Sequence, residues 1–365
     1  MRFGFRSAAS RAMSASGQVR KGVTAMAAQG SSDWVVMKFG GVSVAEPERW
    51  TTIARLVKAK LDAGQRVLIV HSALSGVSNA LEALPGAALA GEGDQAVAAI
   101  EDRHRAFAAE AGLEAQDLLG DLFEQLERLA AGVGLVGEAS ARVRAEILSL
   151  GELMASRLGL ACLEAEGLTP AALDARDALS ALHDGADARD YLANACADGP
   201  DPKLQGRLDA VQLALTQGFI ARNERGETVL LGRGGSDTSA AYFAAKLEAA
   251  ELEIWTDVPG LFSADPRLTE GARHLRALSY EEAQEIATMG GKVLHPGSIG
   301  PARRASIPVA VRSTLRPDWP GTRITAEPGD DAPQLKAVSI KSGVRLVVME
   351  GSGMWRRPGF LADVS

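Results

Sequence analysis

The chain has 365 residues, 46% of them hydrophobic and 23% charged, with a formal net charge of −7. That length suits one large domain with a smaller piece, or two domains, and the acidic balance argues against a nucleic-acid partner, whose phosphates favour a basic surface. No apolar run reaches about 18 residues, so no membrane-spanning helix is expected.

Residues 1–33 carry Arg2, Arg6, Arg11, Arg20 and Lys21 with no acid before Asp33. They read as a disordered tail or a targeting-like leader, with Met13 or Met26 as alternative starts. Trp34–Phe39 is a short apolar run closed by glycines, the pattern of a buried strand entering a tight turn. Residues 46–63 place Trp50, Ile53, Leu56, Val57 and Leu61 at helical spacing, Gly64 stops them, and Arg66–Val70 is a second buried strand. Strand, helix and strand in this rhythm imply a parallel βαβ unit. Residues 95–131 read as a helical insertion. Residues 138–166 form another long helix, interrupted near Gly151, and a Gly/Asp/Pro-rich loop covers 184–203.

Alternation then resumes, with a helix at 205–216, a strand at 217–221, a turn at Asn223–Gly226, a strand at 228–232 and a helix at 236–249. Strand 252–256, helix 280–289 and a late strand at Ile307–Val311 complete the pattern. Residues 316–335 are Pro/Gly/Asp-rich and read as a linker, after which Lys336–Met349 is strand-like and Gly359–Val364 starts a helix. Cys162 and Cys196 lack CxxC spacing and read as inert thiols in helical segments, which fits a reduced cytoplasmic setting.

Five segments carry candidate chemistry. In Lys38-Phe39-Gly40-Gly41 the glycines after a strand can turn N–H groups toward an anion while the lysine supplies positive charge; such a turn can equally be structural. Ser72–Asn79 puts small hydroxyls at a strand end, either to bind an anion or for Ser75 or Ser78 to cap the next helix. Glu152, inside an apolar helical stretch, is either solvated or aimed at a cation such as an α-amino group. In Gly232-Arg233-Gly234-Gly235-Ser236-Asp237 an arginine can clamp a carboxylate, the glycines allow close backbone approach, and Asp237 can orient lysines. Thr256, Asp257, Phe262 and Arg267, with Lys292 and Val293 further on, are suitable parts for a nucleotide pocket or for ordinary loops.

Gly132–Gly137 satisfies GxGxxG but follows a helical stretch rather than a strand, so dinucleotide binding is not expected. There is no P-loop or HExxH, and His71, His104, His183, His274 and His295 form no triad or metal spacing. Cations, glycine turns and acids at strand ends suit phosphoryl transfer, where positioning and charge neutralisation dominate.

The segments KFGG-x-SV (Lys38–Val44), SALSGVSN (72–79), SLGELMAS (149–156), TQGFI (216–220), GRGGSDTSA (232–240), IWTDVPGLFSADPR (254–267) and GGKVLHP (290–296) occur in an order that resembles the aspartokinases of the amino-acid kinase superfamily, over residues 34–325. The resemblance implies a three-layer αβα sandwich with a central, mostly parallel eight-stranded sheet, of which the sequence alone offers six strands. It implies ATP-dependent phosphorylation of the β-carboxylate of L-aspartate to 4-phospho-L-aspartate, the entry to lysine, threonine and methionine biosynthesis. Lys38 and Asp237 would be catalytic. Ser78, Glu152, Arg233, Gly234, Gly235 and Ser236 would hold aspartate, Arg233 taking its α-carboxylate and Glu152 its amino group. Lys38, Gly40, Gly41, Thr256, Asp257, Phe262, Arg267, Lys292 and Val293 would contact ATP, with Mg2+ arriving on the nucleotide.

Val42 and Ser78 stand where the family commonly has threonine, and Phe262 where it has tyrosine, so altered affinity rather than inactivity is expected. Residues 326–335 would be a linker and 336–365 an incomplete ACT-like α+β regulatory fragment. The GSGMWRRPGFLADV segment also resembles chains fused to diaminopimelate decarboxylase, which suggests a fragment of a bifunctional protein that would be a homo-oligomer at full length. The competing expectations are another amino-acid kinase, or a catalytically impaired ligand-binding fragment.

Overall fold

The computed structural model describes residues 32–184, 187–289, 293–295, 297–327 and 336–340. Strand β1 (Trp34–Phe39) is buried along its whole length, which suits its unbroken apolar run. It pairs in parallel with β2 (Arg66–His71), and helix α1 (Pro47–Asp62) forms the crossover with proline at its first turn. Four helices follow: α2 (Val77–Leu89), α3 (Gly93–Glu110), α4 (Ala115–Val136) and α5 (Ala141–Ala165). The chain continues through β3 (Ala171–Leu173), the short helices α6 (Ala188–Leu192) and α7 (Pro202–Arg207), and β4 (Leu213–Gln217). A hairpin of β5 (Ile220–Arg222) and β6 (Thr228–Leu230) leads into α8 (Gly235–Leu247) and β7 (Glu251–Thr256). Last come β8 (Ala277–Ser279), α9 (Tyr280–Thr288), α10 (Gly300–Arg304), β9 (Val309–Ser313) and β10 (Thr322–Thr325).

Eight strands make one sheet in the order β3-β4-β2-β1-β7-β9-β10-β8, parallel except where β10 meets β9. Alternate residues of the central strands feed two cores. Val35, Met37 and Ile69 pack with Trp50 of α1 and Leu158 of α5, whereas Val36, Leu68 and Val70 pack with Phe243 and Ala240 of α8. The sheet is therefore covered on both faces, the αβα sandwich expected of the amino-acid kinase fold.

Several expectations need correction. Of residues 205–216 only 205–207 are helical, as the end of α7, because Leu213–Gln217 is claimed by the sheet between β2 and β3, where burial outweighs the helix preference of Leu, Ala and Gln. The 217–221 strand straddles the end of β4 and the start of β5, and the 228–232 strand lies in the separate hairpin. The late strand is displaced to 309–313. Strand β10 sits inside the stretch read as linker, held between β9 and β8. The 95–131 insertion breaks between α3 and α4 around Gly112, whose φ is +69°. Helix α5 runs through Gly151 without interruption, and the glycine serves packing instead, since a Cβ there would press on Leu81 of α2. Cys162 lies in α5 but Cys196 lies in a loop; burial pushes both thiols up to about 12. The GxGxxG stretch forms the end of α4 and its left-handed cap Gly137. Residues 1–31, most of the 326–335 linker and the 341–365 part of the ACT-like fragment lie outside the described residues, and 336–340 form no strand.

Candidate active site

The strand order turns at β1, with β2 and β4 on one side and β7 and β9 on the other. In open parallel sheets such a point leaves a crevice beyond the carboxyl ends of the strands. Lys38 lies near the end of β1, and its Nζ is 2.5 Å from the carboxylate of Asp237, with the two side chains 11% and 14% exposed. Asp237 occupies the first turn of α8, where the helix dipole favours an acid. The cap of that helix, Gly234, has φ +72°, and a Cβ on it would run into His295. Only glycine lets the turn close under that imidazole. Gly235 is buried, Ser236 is half-buried, and the exposed Arg233 has no ion-pair partner among the described residues.

The β1 turn is fastened on two sides. The Gly40 N–H donates to the Trp255 carbonyl at the end of β7 (3.3 Å). Gly41 lies so close to the loop after β2 that a Cβ would sit 2.8 Å from the Ala73 carbonyl oxygen. Across that loop stands Glu152 of α5, only 3% exposed. Its Oε1 accepts from the Ala73 N–H at 3.3 Å, while its buried Oε2 has no hydrogen-bond partner. Burial raises its pKa from 4.5 to about 8. Among the described residues no cationic side chain pairs with this carboxyl. Ser78 is exposed in the first turn of α2, and that helix is capped by left-handed Gly76 rather than by a side chain. Neither Ser75 nor Ser78 is therefore its cap.

On the other side of β1, the Thr256 hydroxyl donates to Asp257 Oδ1 at 3.0 Å. Phe262 is half-buried, its ring centroid 5.4 Å from His274, which in turn meets Trp319 at 5.6 Å. Arg267 is exposed, and its guanidinium binds both carboxylate oxygens of Asp265, at 3.0 and 2.8 Å. Val293 is half-buried, and Lys292 lies outside the described residues.

Phe219 carries a role that sequence reasoning missed. It holds φ +69°, donates its N–H to Ser239 Oγ (2.8 Å) and accepts from the Leu231 N–H (2.8 Å), bracing the turn that bears Arg233 and Asp237. The TQGFI segment marks the location, but nothing in it announces a phenylalanine in left-handed backbone. His295, seated on Gly234, was likewise visible only as part of GGKVLHP.

The sequence profile of the Amino acid kinase family matches residues 33–313. The chain is 35% identical over 338 residues to the lysine-sensitive aspartokinase 3 of Escherichia coli (strain K12), covering 91% of this chain and 73% of that one. The chain belongs to the aspartokinases of the amino acid kinase family. It is an ATP-dependent aspartate kinase, and by that kinship an enzyme of amino-acid biosynthesis. The crystal structure of E. coli aspartokinase III in complex with aspartate and ADP superposes with a TM-score of 0.73 at 32% identity, covering 83% of this chain and 66% of that one. A bifunctional aspartokinase/homoserine dehydrogenase of Haemophilus influenzae is 34% identical over 351 residues, which are 90% of this chain but only 41% of that protein. No helix among the described residues of this aspartokinase is long and apolar enough to cross a membrane.

Proposed function

We propose that Lys38 and Asp237 are the catalytic pair of this aspartate kinase, with aspartate held on the β2, α5 and α8 side of β1 and ATP on the β7 side. The observation that carries the reading is the Lys38–Asp237 ion pair at the carboxyl end of β1. It aims the ammonium over Gly40, where a Cβ would lie 3.5 Å from Nζ. The β-carboxylate of aspartate, ionised with a pKa near ~4, attacks the γ-phosphorus of ATP as the bond to the bridging oxygen of ADP breaks. The reaction therefore requires no general base. Lys38 neutralises charge on the transferring group, where such donors are most effective.

Glu152 takes the substrate ammonium on its unpartnered Oε2, Arg233 takes the α-carboxylate, and Ser78 with the Gly234–Ser236 backbone completes the aspartate site. Gly40, Gly41, Thr256, Asp257, Phe262, Arg267, Lys292 and Val293 form the nucleotide side, for which Arg267 must exchange Asp265 for phosphate. Among the described residues no cluster of three acids, histidines or cysteines could cage a metal, and Asp237 and Asp257 are the acids at hand. Magnesium would ride on the ATP phosphates and neutralise their charge there.

The reading assigns the catalytic domain to residues 34–325, which β10 closes at Thr325, and 326–335 to a linker. It makes the enzyme a cytoplasmic homo-oligomer; light scattering of the purified protein checks the assembly. The deciding assay traps acyl phosphate with hydroxylamine in the presence of aspartate, magnesium and ATP. We expect a hydroxamate signal that falls about 100- to 1000-fold in Lys38→Ala. Unchanged turnover in that variant would overturn the assignment, a signal with glutamate in place of aspartate would indicate another amino-acid kinase, and ATP binding without turnover would leave a ligand-binding fragment.

A further inference from the structure

Beyond the residues already assigned, one buried chain of hydroxyls crosses the site. Ser43, three residues after Gly40 at the start of the β1 turn, is fully buried, and its Oγ lies 3.0 Å from Thr314 Oγ1. Thr314 follows β9 and is 8% exposed. Its N–H donates to the Thr256 carbonyl at 2.9 Å, and its hydroxyl donates to the same oxygen at 3.2 Å. Since the Thr314 proton goes to Thr256, the Ser43 hydroxyl is the donor in the first link. Ser43 in turn gives its N–H to the Gly40 carbonyl at 2.8 Å. The chain Gly40–Ser43–Thr314–Thr256 thus joins the carboxyl ends of β1, β9 and β7.

We propose that Ser43 and Thr314 are positioning residues that fix the spacing between the Gly40–Gly41 turn and the Thr256–Asp257 pair, and so set the affinity for the nucleotide. The argument is geometric. Backbone hydrogen bonds hold β1 and β7 in register up to Phe39 and Trp255, and the Gly40 N–H adds one further link to Trp255. Beyond that point no strand pairing joins the two loops, and the hydroxyl chain connects them across the end of β9. A hydroxyl pair in a dry position is directional, and loss of the Thr314 hydroxyl strips the buried Ser43 hydroxyl of its acceptor. The proposal rests on the reading that these two loops hold ATP.

The test compares steady-state kinetics for both substrates, and ADP affinity by calorimetry, in Thr314→Val, Thr314→Ser, Ser43→Ala and the Ser43→Ala/Thr314→Val double variant. Asp257→Ala serves as the control for the nucleotide reading itself. We expect Thr314→Val to raise the KM for ATP and weaken ADP by about tenfold, with less than about a twofold change in the KM for aspartate, the scale of two neutral hydrogen bonds. Thr314→Ser should restore the wild-type values, and the double variant should be no worse than Thr314→Val, because both changes break one chain. Equal changes for ATP and aspartate, or additive losses in the double variant, would overturn the proposal and leave a merely structural role. If Asp257→Ala also leaves ATP untouched, it is the nucleotide reading that fails; if Asp257→Ala impairs ATP and Thr314→Val does not, only the positioning role fails.

Discussion

Among the buried glutamates of this domain, Glu253 and Glu152 have opposite surroundings. Glu253, in the middle of β7 and 1% exposed, has every direction filled: Lys60 at 2.8 Å, Arg312 at 3.2 Å, and the Trp255 indole N–H at 2.9 Å. Glu152, at the crevice, has one backbone N–H and an oxygen with nothing. Burial of a carboxylate is tolerated where the fold supplies its cations. Where the fold withholds them, the group is ready for a cation that arrives with a ligand. The mid-sheet region thus stabilises the protein, while the crevice keeps a polar group uncommitted at some cost to stability.

The sharpest way to break this contrast is to remove each carboxylate in turn. Glu253→Ala should lower the unfolding free energy by about 3–5 kcal/mol, since it strands buried partners, and urea denaturation measures it. Any loss of activity should follow from loss of folded protein. A midpoint equal to wild type would mean that Lys60 and Arg312 find water without penalty.

Glu152→Gln should do the reverse. Its kcat/KM for aspartate should fall by about 2–3 kcal/mol, close to a hundredfold, with the KM for ATP little changed. Its stability should match or exceed wild type, because no cation of the fold depends on the carboxylate. Retained aspartate affinity would remove Glu152 from the substrate site.

Proton linkage separates the two regions further. The folded pKa of Glu152 is raised, so the native state holds this proton more tightly than the unfolded chain does. Its contribution to stability is whole below about 4.5 and is lost as pH rises toward about 8. In the absence of aspartate, the melting temperature of wild type should therefore decline relative to Glu152→Gln across that window. Binding of the substrate ammonium needs the ionised form, so aspartate affinity should weaken about tenfold per unit below pH 8. Proton release on binding, measured by calorimetry in buffers of different ionisation heat, gives an independent reading. A flat affinity between pH 6 and pH 8 would contradict the raised pKa.

Much of this was legible before any coordinates. Strands β1, β2 and β7 announce themselves because both faces of the sheet are covered, which demands unbroken apolar runs. The motif residues are legible for a related reason, since Lys38, Arg233, Asp237 and Thr256 all sit where a strand or helix meets a turn. Residues 213–216 read as part of a helix because they favour helix locally and only their neighbours β2 and β3 make them a strand. Three-residue β3 and four-residue β10 are too short to show a period. The bracing by Phe219 and the link from Ser43 to Thr314, 271 residues apart, depend on contacts that no local pattern encodes. Glu152 falls between these cases. Its charge amid apolar neighbours was visible, but its empty oxygen was not.

Ser78 extends the contrast to a group of much smaller consequence. A serine in the first turn of a helix usually serves as a cap, and replacing such a cap with alanine costs about 1 kcal/mol. Here left-handed Gly76 occupies the cap position and no side chain assists it. The Ser78 hydroxyl is exposed and, like Glu152 Oε2, has no hydrogen-bond partner among the described residues. Ser78→Ala should consequently leave the melting temperature within about 1 °C of wild type, because an exposed surface change away from any cap is worth only a few tenths of a kcal/mol. The KM for aspartate should rise by about three- to fivefold, the value of one neutral hydrogen bond, while the KM for ATP stays put. Ser78→Thr, which keeps the hydroxyl, should return the aspartate KM to wild type. A fall in stability with unchanged kinetics would instead make Ser78 a helix-start residue and confine the uncommitted polar groups of the aspartate side to Glu152 and Arg233.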